Sequence, residues 1–194
     1  MNAGDGKEPY CFPGTTVLRN RLDIRDEARL GEAEAILTQL RAEEPLPPGA
    51  FDPAHYRALH RHLFQDMYDW AGDYRTVRLS KGGSTFCFPE HINAEMQRLF
   101  AVCPPDWFHV PGENEFASRL AHFLAELNAI HPFREGNGRT QLLFASLIAE
   151  ENGRQLAYER MDAKGMMAAM IASFRGEEAP LAAIIRAIME AGDR

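Results

Sequence analysis

Two segments with apolar residues at helical spacing flank a short polar string, and this arrangement constrains the fold more than any other feature of the chain. The first segment, 116–130, repeats large apolar residues every three or four positions, as a buried helix face does. A second apolar segment, 142–148, follows the string. Between them, residues 131–140 read HPFREGNGRT. The sequence therefore predicts two core helices that meet at a polar corner.

The residue types at this corner predict a site for an anion, phosphate above all. Gly136, Asn137 and Gly138 free the backbone to turn its N–H groups toward one point. The helix that follows adds unpaired N–H groups and a partial positive charge at its start. Arg139 adds a permanent charge with a fork geometry that suits phosphate oxygens. Glu135 is a hard oxygen ligand of the kind that holds Mg²⁺ on a polyphosphate.

His131 stands at the start of the same string and is the residue best able to accept a proton at neutral pH. A lone Gly-x-Gly or a lone histidine before proline would be a weak signal. Together, the residues of this segment predict a base, a metal ligand and a phosphate cradle.

Composition and charge exclude several functional classes. The 194 residues carry a net charge of -7 with no basic block, which argues against a nucleic-acid surface. No apolar run reaches the length of a membrane span, and the N-terminus does not look like a signal peptide. Three cysteines without metal-like spacing favour a reducing cytoplasm over a disulfide framework.

The rest of the chain predicts a mostly helical domain. Residues 75–79 and 84–88 alternate around Lys81-Gly82-Gly83 and predict a hairpin. His55, His60 and His62 fit no zinc pattern and are expected at the surface or the edge of the core. The first helix is expected to bury Leu30, Ala33, Ile36, Leu37 and Leu40. This first helix is predicted over about 26–41, and a second helix begins at Asp52-Pro53. The other predicted helices cover 91–102, the segment from an Asn114 cap to 130, the segment from the polar string to about 151, 164–174 and 180–191.

The string 131–140 resembles the signature of the Fic family, His-x-Phe-x-Asp/Glu-Gly-Asn-Gly-Arg-x-x-Arg, and only the last position differs, where Leu142 stands. The resemblance covers nearly the whole chain. It implies a mostly α Fic-type helical bundle with one β-hairpin flap beside the active site. Residues 1–194 would form a single domain, with an extended lead-in (1–24) packed on it, the flap at 75–88 and the active-site motif at 131–142.

The resemblance also implies an activity, the transfer of AMP from ATP to a hydroxyl side chain of a target protein. His131 would deprotonate the hydroxyl, and Glu135 would bind the Mg²⁺ that accompanies ATP. Gly136, Asn137 and Gly138 would form the anion hole, and Arg139 would pair with the β-phosphate.

The target protein would dock at the flap, at Leu79, Ser80 and Lys81. An exposed hairpin edge can pair with an extended segment of a partner. The alternative for the hairpin alone is a small flap that merely covers the core.

Leu142 leaves two alternatives open beside the adenylyltransferase. An arginine there would meet the γ-phosphate, and leucine donates neither charge nor hydrogen bond. The chain could therefore be a degenerate Fic fold that binds nucleotide or docks proteins, or a Fic enzyme with a different phosphate donor.

No segment matches the inhibitory Ser/Thr-x-x-x-Glu-Gly/Asn pattern of many Fic proteins. The chain thus resembles the subclass that a separate small antitoxin inhibits, which implies a toxin–antitoxin pair, and it also resembles the Fic domains of bacterial effectors. A cytoplasmic location is expected. Secretion into a host cell is the alternative that the effectors imply, although no delivery domain follows residue 194 and the N-terminus does not look like a signal peptide.

Overall fold

Helices make up most of the computed structural model, which describes residues 8–81 and 84–191. Within these ranges, seven α-helices and two antiparallel strand pairs are present, and no helix is long and apolar enough to cross a bilayer. The helices are α1 (Glu27–Ala42), α2 (Pro53–Phe64), α3 (Pro89–Val102), α4 (Glu113–Ile130), α5 (Asn137–Glu151), α6 (Ala163–Ser173) and α7 (Ala179–Ile188). The strands are β1 (Ser80–Lys81), β2 (Ser84–Thr85), β3 (Arg154–Leu156) and β4 (Met189–Ala191). The predicted mostly helical fold with a hairpin is confirmed.

Three helices begin where the sequence places an aspartate cap. The carboxylates of Asp26, Asp52 and Asp162 each accept the backbone N–H of the residue three positions on. Such caps contribute about 1 kcal/mol each. Pro53 follows Asp52 at the first helical position, where its missing N–H costs nothing.

The prediction that Asn114 caps α4 was wrong. Gly112 is the N-cap, with an extended backbone and no side-chain hydrogen bond to the helix. Asn114 lies within the first turn, and its Oδ1 accepts a hydrogen bond from Arg186 Nε at 3.2 Å. The start of α4 is instead favoured by Glu113 and Glu115, whose charges complement the helix dipole.

The helix α4 lies at the centre of the main core and packs against α3, α5, α6 and α7. Its inward residues are those that the sequence predicted, and all are buried. Truncating one such side chain to alanine costs about 2–5 kcal/mol, so the helix that leads into the corner is strongly held in the core. These residues are Phe116, Leu120, Phe123, Leu124, Leu127 and Ile130.

A second apolar cluster joins the lead-in to α1 and α2. Cys11 and Leu18 form an isolated antiparallel bridge within the lead-in, which packs the predicted segment onto the domain from residue 8 onward. Residues 1–7 of that segment lie outside the described residues. The cluster contains Cys11, Val17, Leu18, Leu30, Leu63, Phe64, Met67, Tyr68 and Ala71.

The flap hairpin is shorter than the predicted strands. Only β1 and β2 pair as strands, with Ser80 opposite Thr85, and Phe86 adds a bond from its N–H to the Leu79 carbonyl at 3.1 Å. Its predicted turn residues Gly82 and Gly83 lie outside the described residues.

Below the Leu79–Phe86 bond, the two stems of the flap bond to the end of α4 and the residues that follow it. The Arg75 N–H donates to the Pro132 carbonyl at 2.9 Å, and the Cys87 N–H donates to the Ala129 carbonyl at 3.1 Å. These bonds satisfy the backbone groups that a longer hairpin would have paired. The predicted alternation over 75–79 and 84–88 therefore produces extended stems with only a short paired tip.

The last helix also ends earlier than predicted. α7 stops at Ile188, and β4 pairs with β3 instead of continuing the helix. The Ala157 N–H bonds the Ile188 carbonyl at 2.8 Å and extends this pairing. The partner strand is distant in sequence, so no local pattern at 189–191 indicated it.

Candidate active site

The polar string forms the corner between α4 and α5. His131 is the C-cap of α4, in a left-handed conformation with φ 48° and ψ 62°, and its N–H donates to the Leu127 carbonyl at 2.8 Å. A non-glycine residue in this region costs on the order of 1 kcal/mol or more and is often found at functional sites. Gly136, with φ 81°, is the N-cap of α5. The structure thus brings the predicted base and the predicted phosphate cradle together on one short loop.

Phe133 anchors the loop in the core. Its ring is fully buried and stacks on Tyr56 and on His60, with a centroid distance of 3.7 Å to the latter. The side chain of Asn137 closes the loop, since its Oδ1 accepts the Phe133 N–H at 2.9 Å and its Nδ2 donates to the Phe133 carbonyl at 2.8 Å. Both polar atoms of the Asn137 side chain are therefore bonded to the Phe133 backbone, which leaves the Asn137 backbone N–H for the predicted anion hole.

The two glycines of the cradle have different reasons to be glycine. A Cβ added to Gly136 would lie 2.3 Å from the Phe64 ring, and the positive φ is strained for any side chain. A Cβ at Gly138 would meet nothing within 4 Å, so Gly138 borders open space at the start of α5. The first N–H groups of a helix lack intrahelical partners and favour an anion at this position.

Arg139 points its guanidinium at a carboxylate that the sequence analysis did not single out. Its Nη2 donates to Glu34 of α1, its Nη1 lies 3.3 Å from Thr38 Oγ1, and the guanidinium stands 4.8 Å from the centre of the Phe64 ring. The Tyr68 hydroxyl donates to the same Glu34 carboxylate. Glu34 is only 8% exposed, so this pairing fixes the arginine from the α1 side.

The face that α1 buries explains why Glu34 was missed. Ile36 and Leu40, predicted to lie inward, are 61% and 54% exposed. Glu34 and Thr38 are buried instead, one helical turn apart. A polar pair at this spacing beside Leu30 was the available signal, but the apolar pattern outweighed it.

Glu135 carries an accessible carboxylate at the edge of the cradle. Its Oε1 accepts the Gly136 N–H at 2.9 Å and lies 3.8 Å from Arg139 Nη2, and 46% of its side chain is exposed. In the described parts of the chain, no group of three or more His, Cys, Asp or Glu side chains could hold a metal by itself. One carboxylate beside a phosphate cradle fits Mg²⁺, which binds through few carboxylates together with substrate phosphates.

His60 holds the Glu135 backbone from below and is not the edge residue that the sequence predicted. Its ring is fully buried, Nδ1 accepts the Gly72 N–H at 2.8 Å, and Nε2 donates to the Glu135 carbonyl at 3.0 Å. Because Nδ1 is an acceptor here, the proton lies on Nε2. Burial lowers the pKa of His60 to about 3, which keeps the ring neutral.

Arg134 ties the lead-in to the same loop. It pairs with Glu8 through Nε and through Nη2, the latter at 3.0 Å. The Arg134 guanidinium holds the pKa of the Glu8 carboxyl below its usual value. The charge of Arg134, the other arginine of the corner beside Arg139, is therefore paired with a carboxylate.

The flap lies against the predicted base. The Phe86 ring stacks on the His131 ring with a centroid distance of 4.0 Å and an interplanar angle of 14°, and Phe174 meets Phe86 edge-on. Leu79 accepts the Phe86 N–H, and Ser80 and Lys81 form β1 directly beyond it. Leu79 is therefore paired with Phe86, the ring partner of His131, and Ser80 and Lys81 follow Leu79 in the flap.

Leu142 lies one turn beyond Arg139 on α5. Its side chain is half-buried and packs against the main core, and its carbonyl accepts the Tyr158 hydroxyl at 2.7 Å. The position thus combines core contact with partial exposure.

The chain is similar to several known proteins. A model of the Fic/DOC family matches residues 50–149. The protein named "Probable protein adenylyltransferase y4lH" of Sinorhizobium fredii is 50% identical over 182 residues, which cover 93% of this chain and 95% of that protein. The "Probable protein adenylyltransferase Fic" of Escherichia coli K12 is 35% identical over 193 residues, with 98% and 96% covered. The solved N-terminal Fic domain of a VirB-translocated Bep effector protein from Bartonella quintana, with bound ADP, superposes with a TM-score of 0.84 at 26% identity and covers 97% of this chain and 98% of its own. This chain therefore belongs to the Fic/DOC family.

Proposed function

We propose that this chain is a protein adenylyltransferase that moves AMP from ATP to a hydroxyl side chain of a target protein. The observation that carries the proposal is the corner itself, where His131 and the start of α5 are held by one loop whose anchor, Phe133, is fully buried. The names of the relatives from Sinorhizobium fredii and Escherichia coli support the same activity.

In the proposed reaction, the hydroxyl oxygen of the target attacks the α-phosphorus of ATP. A bond forms between that oxygen and phosphorus, and the bond from the α-phosphorus to the bridging oxygen breaks, so pyrophosphate leaves. The His131 ring accepts the hydroxyl proton and returns it to solvent. A positioned base of this kind contributes typically 10²–10⁴-fold in rate.

The phosphates of ATP would lie at the N-terminus of α5. The backbone N–H groups of Asn137 and Gly138, with the helix dipole, would stabilise charge on the phosphate oxygens. Arg139 would pair with the β-phosphate, and its contact with Glu34 places the guanidinium before the nucleotide arrives. Transfer chemistry of this class depends on positioning and charge neutralisation more than on covalent intermediates.

Glu135 is the residue that would hold Mg²⁺. The ion, when bound with the nucleotide, supplies positive charge that neutralises the phosphates. The Glu135 carbonyl accepts a hydrogen bond from His60, so its carboxylate extends from a point of the loop that is bonded to α2.

The target would add an extended segment to the flap at Leu79, Ser80 and Lys81. The proposal rests on the stacking of Phe86 on His131, which brings a segment paired with β1 close to the base. The reaction would take place in the cytoplasm, which agrees with the free cysteines Cys11, Cys87 and Cys103. A separate small antitoxin would inhibit it, and residues 1–194 would act as one domain.

Transfer of label from ATP tests the proposal and its alternatives. The chain is incubated with bacterial lysate, Mg²⁺ and ATP labelled at the α- or the γ-phosphate. We expect protein-bound label from the α position only, and none with His131→Ala, which should still bind ATP. Label from γ alone would mean phosphate transfer, and no label from either position would favour the nucleotide-binding or docking module that Leu142 suggests.

A further inference from the structure

Arg75 is a buried cation with an unusual set of partners. It is 2% exposed, and among the described residues no carboxylate forms an ion pair with it. Its guanidinium donates instead to four backbone carbonyls. The distances are 2.8 Å from Nε to His131, 2.6 Å from Nη1 to Val77, and 2.6 and 3.2 Å from Nη2 to Cys87 and Ile130.

These four carbonyls belong to three separate segments. Ile130 and His131 are at the C-terminal end of α4, where the last carbonyls lack intrahelical partners and the helix dipole is negative. Val77 lies on the stem that enters the flap, and Cys87 lies on the stem that leaves it. One side chain therefore joins the base residue to both stems of the flap.

The guanidinium of Arg75 is suited to bonding several carbonyls at once. Burial lowers its pKa, the direction expected for a cation taken out of water, and four carbonyl dipoles oppose that cost. The planar fork presents several donors in fixed directions, which an ammonium group cannot copy.

Two further contacts connect Arg75 to the position of the base. Its own backbone N–H bonds the Pro132 carbonyl at 2.9 Å, so the chain is held on both sides of the left-handed His131 backbone. The Phe86 ring that stacks on His131 is adjacent to Cys87, whose carbonyl Arg75 binds. The Arg75 guanidinium therefore bonds the His131 backbone directly and bonds the residue next to Phe86, the ring partner of His131.

We propose that Arg75 is a positioning residue that sets the distance between the flap edge and His131, so that a hydroxyl on a docked target segment meets the base. This inference rests on the proposed function for its docked target. Arg75 touches neither nucleotide nor target in this assignment. It acts through the His131 carbonyl and through the two stems.

Arg75→Lys is the principal test, because it keeps the charge and most of the volume but cannot reach all four carbonyls. AMP incorporation into lysate protein is measured at fixed lysate and varied ATP. A misplacement of about 1 Å can cost on the order of 10²-fold in rate, so we expect the maximal rate to fall ten- to a hundredfold. The KM for ATP and the affinity for ATP–Mg²⁺ by calorimetry should stay within about twofold, since the cradle lies on α5.

Arg154→Lys is the matched control. Arg154 also donates to several backbone carbonyls, those of Asn152, Val110 and Pro111, but it lies near the opposite end of α4. Wild-type transfer by this variant is expected. An equal loss in both variants, or an equal rise in KM for ATP with Arg75→Lys, would assign Arg75 a general structural role and overturn the proposal.

NMR spectra of the His131 ring test the role of Arg75 independently of the proposed function. In the wild type, the stacked Phe86 ring should shift the His131 ring signals in ¹H–¹³C spectra, and Arg75→Lys should move them toward the values of Phe86→Leu. Unmoved His131 signals, or wild-type transfer by Arg75→Lys, would refute the positioning role. If the wild type transfers no AMP, the proposed function fails, and the spectra still decide whether Arg75 places the ring.

Phe86→Leu supplies a second variant in case Arg75→Lys does not fold. It removes the stacked ring from a half-buried position while Arg75 stays intact. We expect a loss of maximal rate with ATP affinity retained, and a double variant that loses no more than the larger single loss, as for residues in one network. Full transfer by Phe86→Leu would exclude the flap stem as the route by which Arg75 acts.

Discussion

His60 should make the stability of this chain depend on pH between about 3 and 6.5, the folded and ordinary pKa values of its imidazole. In the folded state the ring is neutral and its Nδ1 accepts the Gly72 N–H. In the unfolded state it binds a proton below pH 6.5. The unfolded state therefore binds more protons in this window, so stability rises with pH there. The contribution is complete above pH 6.5 and is lost as pH falls toward 3.

The size of the effect follows from the pKa difference. Each unit is worth about 1.36 kcal/mol, so at pH 4.5, two units below the ordinary value, His60 should destabilise the fold by about 2.7 kcal/mol relative to pH 7. That is a large fraction of the typical stability of about 5–15 kcal/mol. The added proton would lie on Nδ1 and face the Gly72 N–H, so protonation would break that bond while Nε2 still donates to the Glu135 carbonyl.

Urea unfolding of the wild type and His60→Gln at pH 7 and pH 4.5 measures this directly. Glutamine cannot titrate, so the variant should lose about 2–3 kcal/mol less than the wild type between the two pH values, whatever constant destabilisation the substitution adds. Carboxylates titrate in both proteins and cancel. His91→Gln, at an exposed position on α3, should leave the wild-type loss unchanged. An equal loss in His60→Gln and wild type would refute the buried neutral imidazole.

Four further outcomes are expected. Glu135→Gln should reduce the Mg²⁺ dependence of ATP binding in calorimetry with and without metal, and an unaltered dependence would remove this carboxylate from the site. Glu34→Gln should tighten ATP binding about three- to tenfold, because it removes a negative charge beside Arg139 worth on the order of 1 kcal/mol; weaker binding would mean that the charge is needed to place the arginine. Leu142→Arg should tighten binding of ATP more than of ADP, since a charged hydrogen bond contributes roughly 1.5–3 kcal/mol and the aliphatic stem can stay on the core. Unchanged affinity and melting temperature would show that position 142 does not face the phosphates. Leu79→Pro should lower target labelling more than ATP affinity, because it deletes a donor on the flap, and equal losses would indicate damage to the fold.

Local sequence signals predicted the parts of this fold that local physics controls. Asp52 was readable as a cap because a cap bonds only its own helix, and Asp26 and Asp162 cap their helices by the same local bond. The buried face of α4 was readable because the spacing of apolar residues within that one helix determines which face is buried. The close approach of Gly136 to Phe64 could not be read, but the requirement for glycine at the turn could.

The parts that escaped prediction depend on contacts between distant segments. Glu34 meets Arg139 across more than a hundred positions of sequence, and nothing in α1 alone marks a glutamate as an arginine partner. Arg75 reads as one polar residue of a hairpin until the end of α4 is placed beside it. His60 reads as a surface histidine until Phe133 is stacked on its ring. In each case the missing information was which group lies opposite the side chain, and that is set by the packing of distant segments.

The charges at the corner explain how a chain with a net charge of -7 can receive a polyphosphate. The cations of the loop are Arg134, which Glu8 neutralises, and Arg139, which Glu34 neutralises. Glu135 remains, so the side chains of these two ion pairs and Glu135 leave the cradle with an excess negative charge. Only the helix dipole and backbone N–H groups would then attract ATP, and these are worth about a kcal/mol or two. A divalent cation on Glu135 reverses the local balance, and so the nucleotide should bind as its metal complex. ATP affinity should accordingly fall steeply in EDTA, and Glu34→Gln should restore part of it there, because that variant removes a negative charge without altering Glu135, the proposed metal ligand.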